Sequence, residues 1–129
     1  MPYKLYDYLT LEGTNAFNEW AQGLQVRMRA RLDQKIDMLE EHGIGLLPET
    51  LTGSDEPSVM KLRVRVDGVQ LRPLLCRGPS QVSDEFTFLL GAKEVQGKIV
   101  PRGGEKLAGI RRKEILRDPG RRTRHERIT

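Results

Sequence analysis

Apolar residues recur along the chain with two different periods, and where the period changes the predicted element changes with it. Tyr3-Lys4-Leu5-Tyr6-Asp7-Tyr8 alternates and is rich in strand formers, which predicts an edge or near-edge strand. Glu12-Gly13 then turns the chain, and Thr14 or Asn15 is placed to cap a helix whose apolar positions Phe17, Trp20, Ala21 and Leu24 fall three and four residues apart. Gly23 loosens or ends that helix. A second stripe, Leu24, Met28, Leu32, Ile36 and Leu39, predicts an amphipathic helix closed by His42-Gly43, with Arg27, Arg29 and Arg31 on a solvated face. The two helices are expected to form a hairpin over one face of a sheet.

Residues 43–57 shift to Gly, Pro, Thr, Ser and acids, the chemistry of a loop, with Leu46, Leu47 and Leu51 as anchors. Val59 to Val66 alternates strictly, Asp67-Gly68 is a two-residue hairpin signal, and Val69 to Leu74 alternates again. With Asp67 and Gly68 as the turn, Val66 faces Val69, Val64 faces Leu71 and Leu62 faces Pro73 on an apolar side. On the other side Arg65 faces Gln70, Arg63 faces Arg72 and Lys61 faces Leu74.

Arg77-Gly78-Pro79-Ser80 breaks the second strand, and Phe86-Thr87-Phe88-Leu89-Leu90 is apolar enough to be central. Glu105 to Leu116 reads as a short helix stopped by Asp118-Pro119-Gly120, and Arg121 to Thr129 shows no core-building pattern. The expected class is α+β in the order β-α-α-β-β-β-α. That is an antiparallel sheet core with a helical hairpin on one face, one domain over residues 1–118 and a basic C-terminal tail over 119–129. No internal repeat interrupts it.

A chain of 129 residues has room for one hydrophobic core. Its 37% hydrophobic and 31% charged residues lie within the globular range, which argues for a folded body rather than a disordered one. The sequence opens without a basic segment followed by an apolar run, and its longest apolar stretches are short, so a cytoplasmic protein without membrane insertion is expected. Cys76 is the sole cysteine and reads as core filler. With it and only His42 and His125, no zinc-ligand spacing occurs, and no metal or cofactor is expected. Charge is unevenly spread. Residues 1–101 carry 12 basic and 14 acidic side chains, net −2, and residues 102–129 carry 10 and 4, net +6. Such a basic end suits phosphate backbones or acidic partners.

The hairpin register gathers Lys61, Arg63, Arg65 and Arg72 on one sheet face. Like charges placed across a sheet destabilise it by a few tenths to about 1 kcal/mol per pair. Phosphate oxygens would compensate, since a guanidinium holds them in a bidentate fork. Other motifs are weaker. Arg102-Gly103-Gly104-Glu105-Lys106 lacks P-loop spacing and reads as a turn, and the acid pairs Glu40-Glu41 and Asp84-Glu85 read as surface.

The string from Val59 to Leu75, followed by Phe86 to Lys98, resembles the sheet of the RelE/ParE superfamily of toxins, closest to its HigB-like, phage-derived members. The resemblance covers roughly residues 3–116. It implies a metal-independent, ribosome-dependent mRNA endoribonuclease that inhibits translation and is silenced by a cognate antitoxin. In that chemistry the ribose 2′-hydroxyl attacks the adjacent phosphate, and the protein takes one proton, stabilises charge and helps the 5′-oxygen leave. By resemblance Lys61 and Arg63 match the family's basic pair, Arg72 its scissile-phosphate arginine, and Lys93 the basic residue at the last strand's end. Lys61 is the candidate base, and Arg65, Lys98, Arg122 and Arg124 are further candidate RNA contacts. Many such nucleases carry a C-terminal tyrosine, whereas here every tyrosine lies at positions 3, 6 and 8. His125, whose side-chain type titrates near neutrality, is the candidate general acid in its place. Two alternatives remain open: a nucleic-acid-binding protein of the same fold without nuclease chemistry, and a ParE-like inhibitor of gyrase.

Overall fold

In a computed structural model, which describes residues 2–79 and 84–128, ten strands and three helices form a mixed α+β body. Strand β1 (Lys4–Tyr8) is followed by α1 (Ala16–Gln22) and α2 (Val26–His42). Asn15 caps α1 by accepting from the amide of Asn18, Gly23 ends it, and Gly43 at φ 51° closes α2. Then come β2 (Leu51–Gly53), β3 (Met60–Leu62), β4 (Val64–Val66), β5 (Val69–Leu71), β6 (Leu74–Arg77) and β7 (Glu85–Leu90). The chain ends with β8 (Lys93–Val95), β9 (Lys98–Val100), α3 (Gly104–Arg117) and β10 (Arg122–Arg124).

The strands make two sheets, one ordered β10-β1-β7-β6-β3-β2 and the other β4-β5-β8-β9. The pairing is not wholly antiparallel as expected, because β1 runs parallel to β7, with Leu5 beside Phe86 and Asp7 beside Phe88. The long connection between them, through α1, α2 and β2 to β6, returns the chain in the same direction, which a direct hairpin cannot do. β7 is interior, as its apolar run predicts, and β1 lies one strand in from the edge.

The hairpin register holds on both sides of a break. Val66 pairs with Val69, Arg65 with Gln70 and Val64 with Leu71, and further back Lys61 pairs with Leu74. Between these ladders the long strands split, so that β3 and β6 belong to one sheet and β4 and β5 to the other. Pro73 has no amide to donate. The amide of Arg63 donates to Thr50 O at 2.8 Å and that of Arg72 to Ala92 O at 2.8 Å. The amide of Leu62 still donates to Pro73 O at 3.0 Å, and outward-pointing amides are those of a non-hydrogen-bonded pair, so Arg63 and Arg72 stand across from each other at the split as the register predicts.

Alternation along these strands separates two cores. Leu5, Leu62, Leu75, Phe86 and Phe88 pack with Phe17 of α1 and Leu32, Ile36 and Leu39 of α2, while Tyr8, Leu74, Cys76 and Leu89 lie under Ala108 and Ile115 of α3. The helix pair covers one face and α3 the other. Gly91 lets the ring of Trp20 approach, since a Cβ there would sit 2.0 Å from Cδ2.

The largest departure is at the C-terminus. The segment expected as a basic tail supplies β10, antiparallel to β1, with Tyr6 beside Arg124 and Tyr8 beside Arg122. Ile128 is 1% exposed, its amide donates to Asp33 Oδ1 at 3.0 Å, and Arg127 forks onto Asp37. Three residues of strand and a single apolar anchor are too short to register as a period, so the pattern of 119–129 does not reveal its place in the body. Ser80 and Thr129 lie outside the described residues.

Candidate nucleic-acid interface

Lys61 in β3, Arg63 at the junction and Arg65 in β4 occupy alternate positions on the side opposite Leu62 and Val64, which are fully buried. Arg63 and Arg65 are exposed and Lys61 is half-buried. Among the described residues none of the three side chains has a hydrogen bond or a carboxylate partner. They are a row of cations open to solvent, along strands held rigid by the core beneath.

Arg72 differs. It is 7% exposed, and its guanidinium is occupied within the protein: Nη1 donates to Leu71 O at 2.9 Å, Nη2 to Gln70 Oε1, and Nε lies 3.4 Å from Glu94 Oε1. Register explains the arrangement, because Arg65, Gln70 and Glu94 are successive cross-strand partners and so share a face with Arg72, two residues from Gln70. Burial lowers the pKa of Arg72 from its ordinary value, with Arg63 adding to the fall and Glu94 opposing it. The arginine expected to grip the phosphate is thus clamped beneath the open row, a carboxylate standing where a phosphate would.

The same register places Lys93 beside Leu71 and Lys98 beside Val95, on the reverse face of the smaller sheet. Neither joins the row. A β8–β9 hairpin around Gln96 (φ 51°) and Gly97 (φ 78°) is what turns them there. Its signal was a Gly after Val-Gln, which the apolar run of β7 overshadows.

His125 is also removed from the row. Its amide donates to Leu5 O at 2.9 Å, its Nδ1 lies 2.9 Å from Asp7 Oδ1, and its ring packs against Phe17 and Phe88. Its side chain is 6% exposed and that of Asp7 1%, with Asn15 Nδ2 donating to the second Asp7 oxygen at 2.9 Å. Four strand steps separate β10 from β3, about 19 Å at about 4.8 Å per step. The imidazole expected as general acid is a buried clasp for the terminal strand, out of reach of Lys61. Arg122 and Arg124 lie at that same far edge.

Cys76 is fully buried, its thiol pushed up to about 12 chiefly by burial, as suits core filler. Arg102 to Lys106 turns, as expected, at Arg102 and Gly103 and then enters α3 at Gly104, with Gly103 as the N-cap at φ 78°. It lines an open hollow of about 830 Å³ with Val95, Ile99 and Val100. Among the described residues, no group of three or more His, Cys, Asp or Glu is arranged to hold a metal, and no helix is long and apolar enough to cross a membrane.

Compared with known family models, curated proteins and solved structures, the chain matches none of them.

Proposed function

We propose that the protein is a RelE/ParE-type toxin, of the HigB-like kind, that binds messenger RNA on the ribosome through Lys61, Arg63 and Arg65 and cleaves it without a metal. A cognate antitoxin is the partner that this reading requires. The observation that carries it is the open row. Three cations on alternate strand positions remain without carboxylate partners, although Arg72 a short way beneath them has one. Unpaired cations held on a rigid sheet are a preorganised anion site, and polyphosphate is the anion whose spacing rewards a row rather than a single charge. The mixed α+β body, with the helix pair on one face and α3 on the other, is compatible with this reading.

In the proposed reaction Lys61, as the free amine, takes the proton of the 2′-hydroxyl as its oxygen bonds to phosphorus, and Arg63 and Arg65 stabilise the charge that gathers on the phosphate. The P–O5′ bond breaks with the 5′-oxygen taking a proton from water, leaving a 2′,3′-cyclic phosphate and a 5′-hydroxyl. Arg72 serves as a support for the row and reaches the phosphate only when Glu94 releases it. His125 takes no part.

A second reading is favoured by the burial of His125 and the engagement of Arg72: an RNA-binding protein of this fold that leaves RNA uncut. Primer extension on mRNA from a translating extract separates the two. New ends that need ribosomes and vanish with Arg63→Ala/Arg65→Ala support the nuclease. Intact mRNA alongside salt-dependent RNA binding leaves the second reading standing, and capture of gyrase with no effect on RNA overturns both.

A further inference from the structure

The β10 edge of the larger sheet carries a second set of cations. Lys4, Tyr6 and Tyr8 of β1 share a face with Arg122 and Arg124 through the β1–β10 pairing. The guanidinium of Arg122 stacks 4.1 Å over the Tyr6 ring, and that of Arg124 lies 5.4 Å from it. Helix α3 lies on the same face, where Ala108 and Ile115, which flank Arg112 in sequence, pack with Tyr8 and Cys76, and Cys76 pairs with Thr87, whose hydroxyl is 3.5 Å from Arg122 Nη1.

The acid seen engaging this group is Glu85, 3.0 Å from Arg122 Nη1. Among the described residues Arg112 has no carboxylate or hydrogen-bond partner, and its Nε is buried without an acceptor. A buried N–H without an acceptor is rare in native proteins, where a protein group, an ordered water or a bound anion completes it. Arg124 is exposed.

We propose that Arg112 and Arg124, with Arg122 held in place by Glu85 and Pro119 O as their support, form a second phosphodiester-binding site, which holds RNA backbone at the opposite edge of the sheet from Lys61, Arg63 and Arg65. Planar guanidiniums, one of them braced on an aromatic ring, present paired N–H groups that match phosphate oxygens. RNA backbone is favoured over an acidic protein surface around Arg122 and Arg124, because protein interfaces are built around an apolar centre and no large apolar side chain of β1, β7 or β10 is exposed, although α3 exposes Leu116 one turn from Arg112. The ligand class rests on the reading of this protein as RNA-binding, but the site does not depend on cleavage.

The test is fluorescence anisotropy of the full chain with a labelled 12-nucleotide oligouridylate across a salt series, using Arg112→Gln/Arg124→Gln and, separately, the exposed-site change Arg124→Gln. Two lost phosphate contacts at about 0.7 each lower the slope of log affinity against log salt by about 1.4 in the double variant, and by about 0.7 in the single one. The loss adds to that of a Lys61/Arg63/Arg65 variant, because the sites are far apart. Unchanged slopes in both arginine variants, with a reduced slope in the Lys61/Arg63/Arg65 variant, overturn this site and spare the proposed function. No oligouridylate binding by the wild type overturns both. Retained RNA binding in the double variant with loss of polyglutamate binding assigns the patch to an acidic protein instead.

Discussion

Glu94 holds Arg72 across the β5–β8 pairing, with Arg72 Nε 3.4 Å from Glu94 Oε1 and the guanidinium almost wholly buried. The pair decides how many cations meet the RNA. With Glu94 in place three point outward, and without it a fourth is released from its carboxylate.

Replacing Glu94 with Gln keeps the shape and removes the charge. The expected outcome is tighter RNA binding and a salt slope steeper by about 0.7, one phosphate contact on a single strand. Stability falls by about 1–3 kcal/mol, the worth of a hydrogen bond to a charged group in a partly buried setting. Anisotropy titration and urea unfolding measure the two effects. Unchanged RNA binding in a folded Glu94→Gln protein shows that Arg72 stays a strut.

The clasp at the other edge makes a structural prediction. His125→Ala removes a ring packed on Phe17 and Phe88 and strips Asp7 of one partner, so urea unfolding is expected to show a loss of about 2–4 kcal/mol. RNA binding per folded molecule is expected to stay at the wild-type level. A variant of wild-type stability that no longer acts on RNA would restore His125 to the reaction.

Titration of the buried thiol and phenol gives a third prediction. Burial raises the pKa of Cys76 to about 12 from 9.0, and it raises that of Tyr8 as well, aided by the hydrogen bond to Glu114. Both groups hold their protons more tightly in the folded protein than in the unfolded one. Their contribution to stability is complete below about pH 9 and is lost as pH rises from there toward 12. Denaturant midpoints measured from pH 8 to 11 should therefore decline, and Cys76→Ala should decline less steeply.

Much of this architecture was legible in the residues. The cap at Asn15, the stripe from Leu24 to Leu39, the Asp67-Gly68 turn and its register are local rules, and each is met by a short stretch of chain. What escaped was non-local. The parallel union of β1 with β7, the exchange of the hairpin between two sheets at Pro73, and the docking of β10 depend on partners far off in sequence. The cation row was readable because alternation fixes which side a strand residue takes. The capture of Arg72 by Glu94 and of His125 by Asp7 was not, since the carboxylates come from strands whose pairing the pattern does not disclose.

The claim at the centre of this account is that Lys61, Arg63 and Arg65 act together as an RNA-backbone grip. Its most direct test is the salt dependence of oligouridylate binding by the wild type and by Lys61→Gln/Arg63→Gln/Arg65→Gln, each verified as folded by its unfolding transition. Three lost contacts predict a slope shallower by about 2 and a marked loss of affinity at low salt. An unchanged slope and affinity would contradict the account.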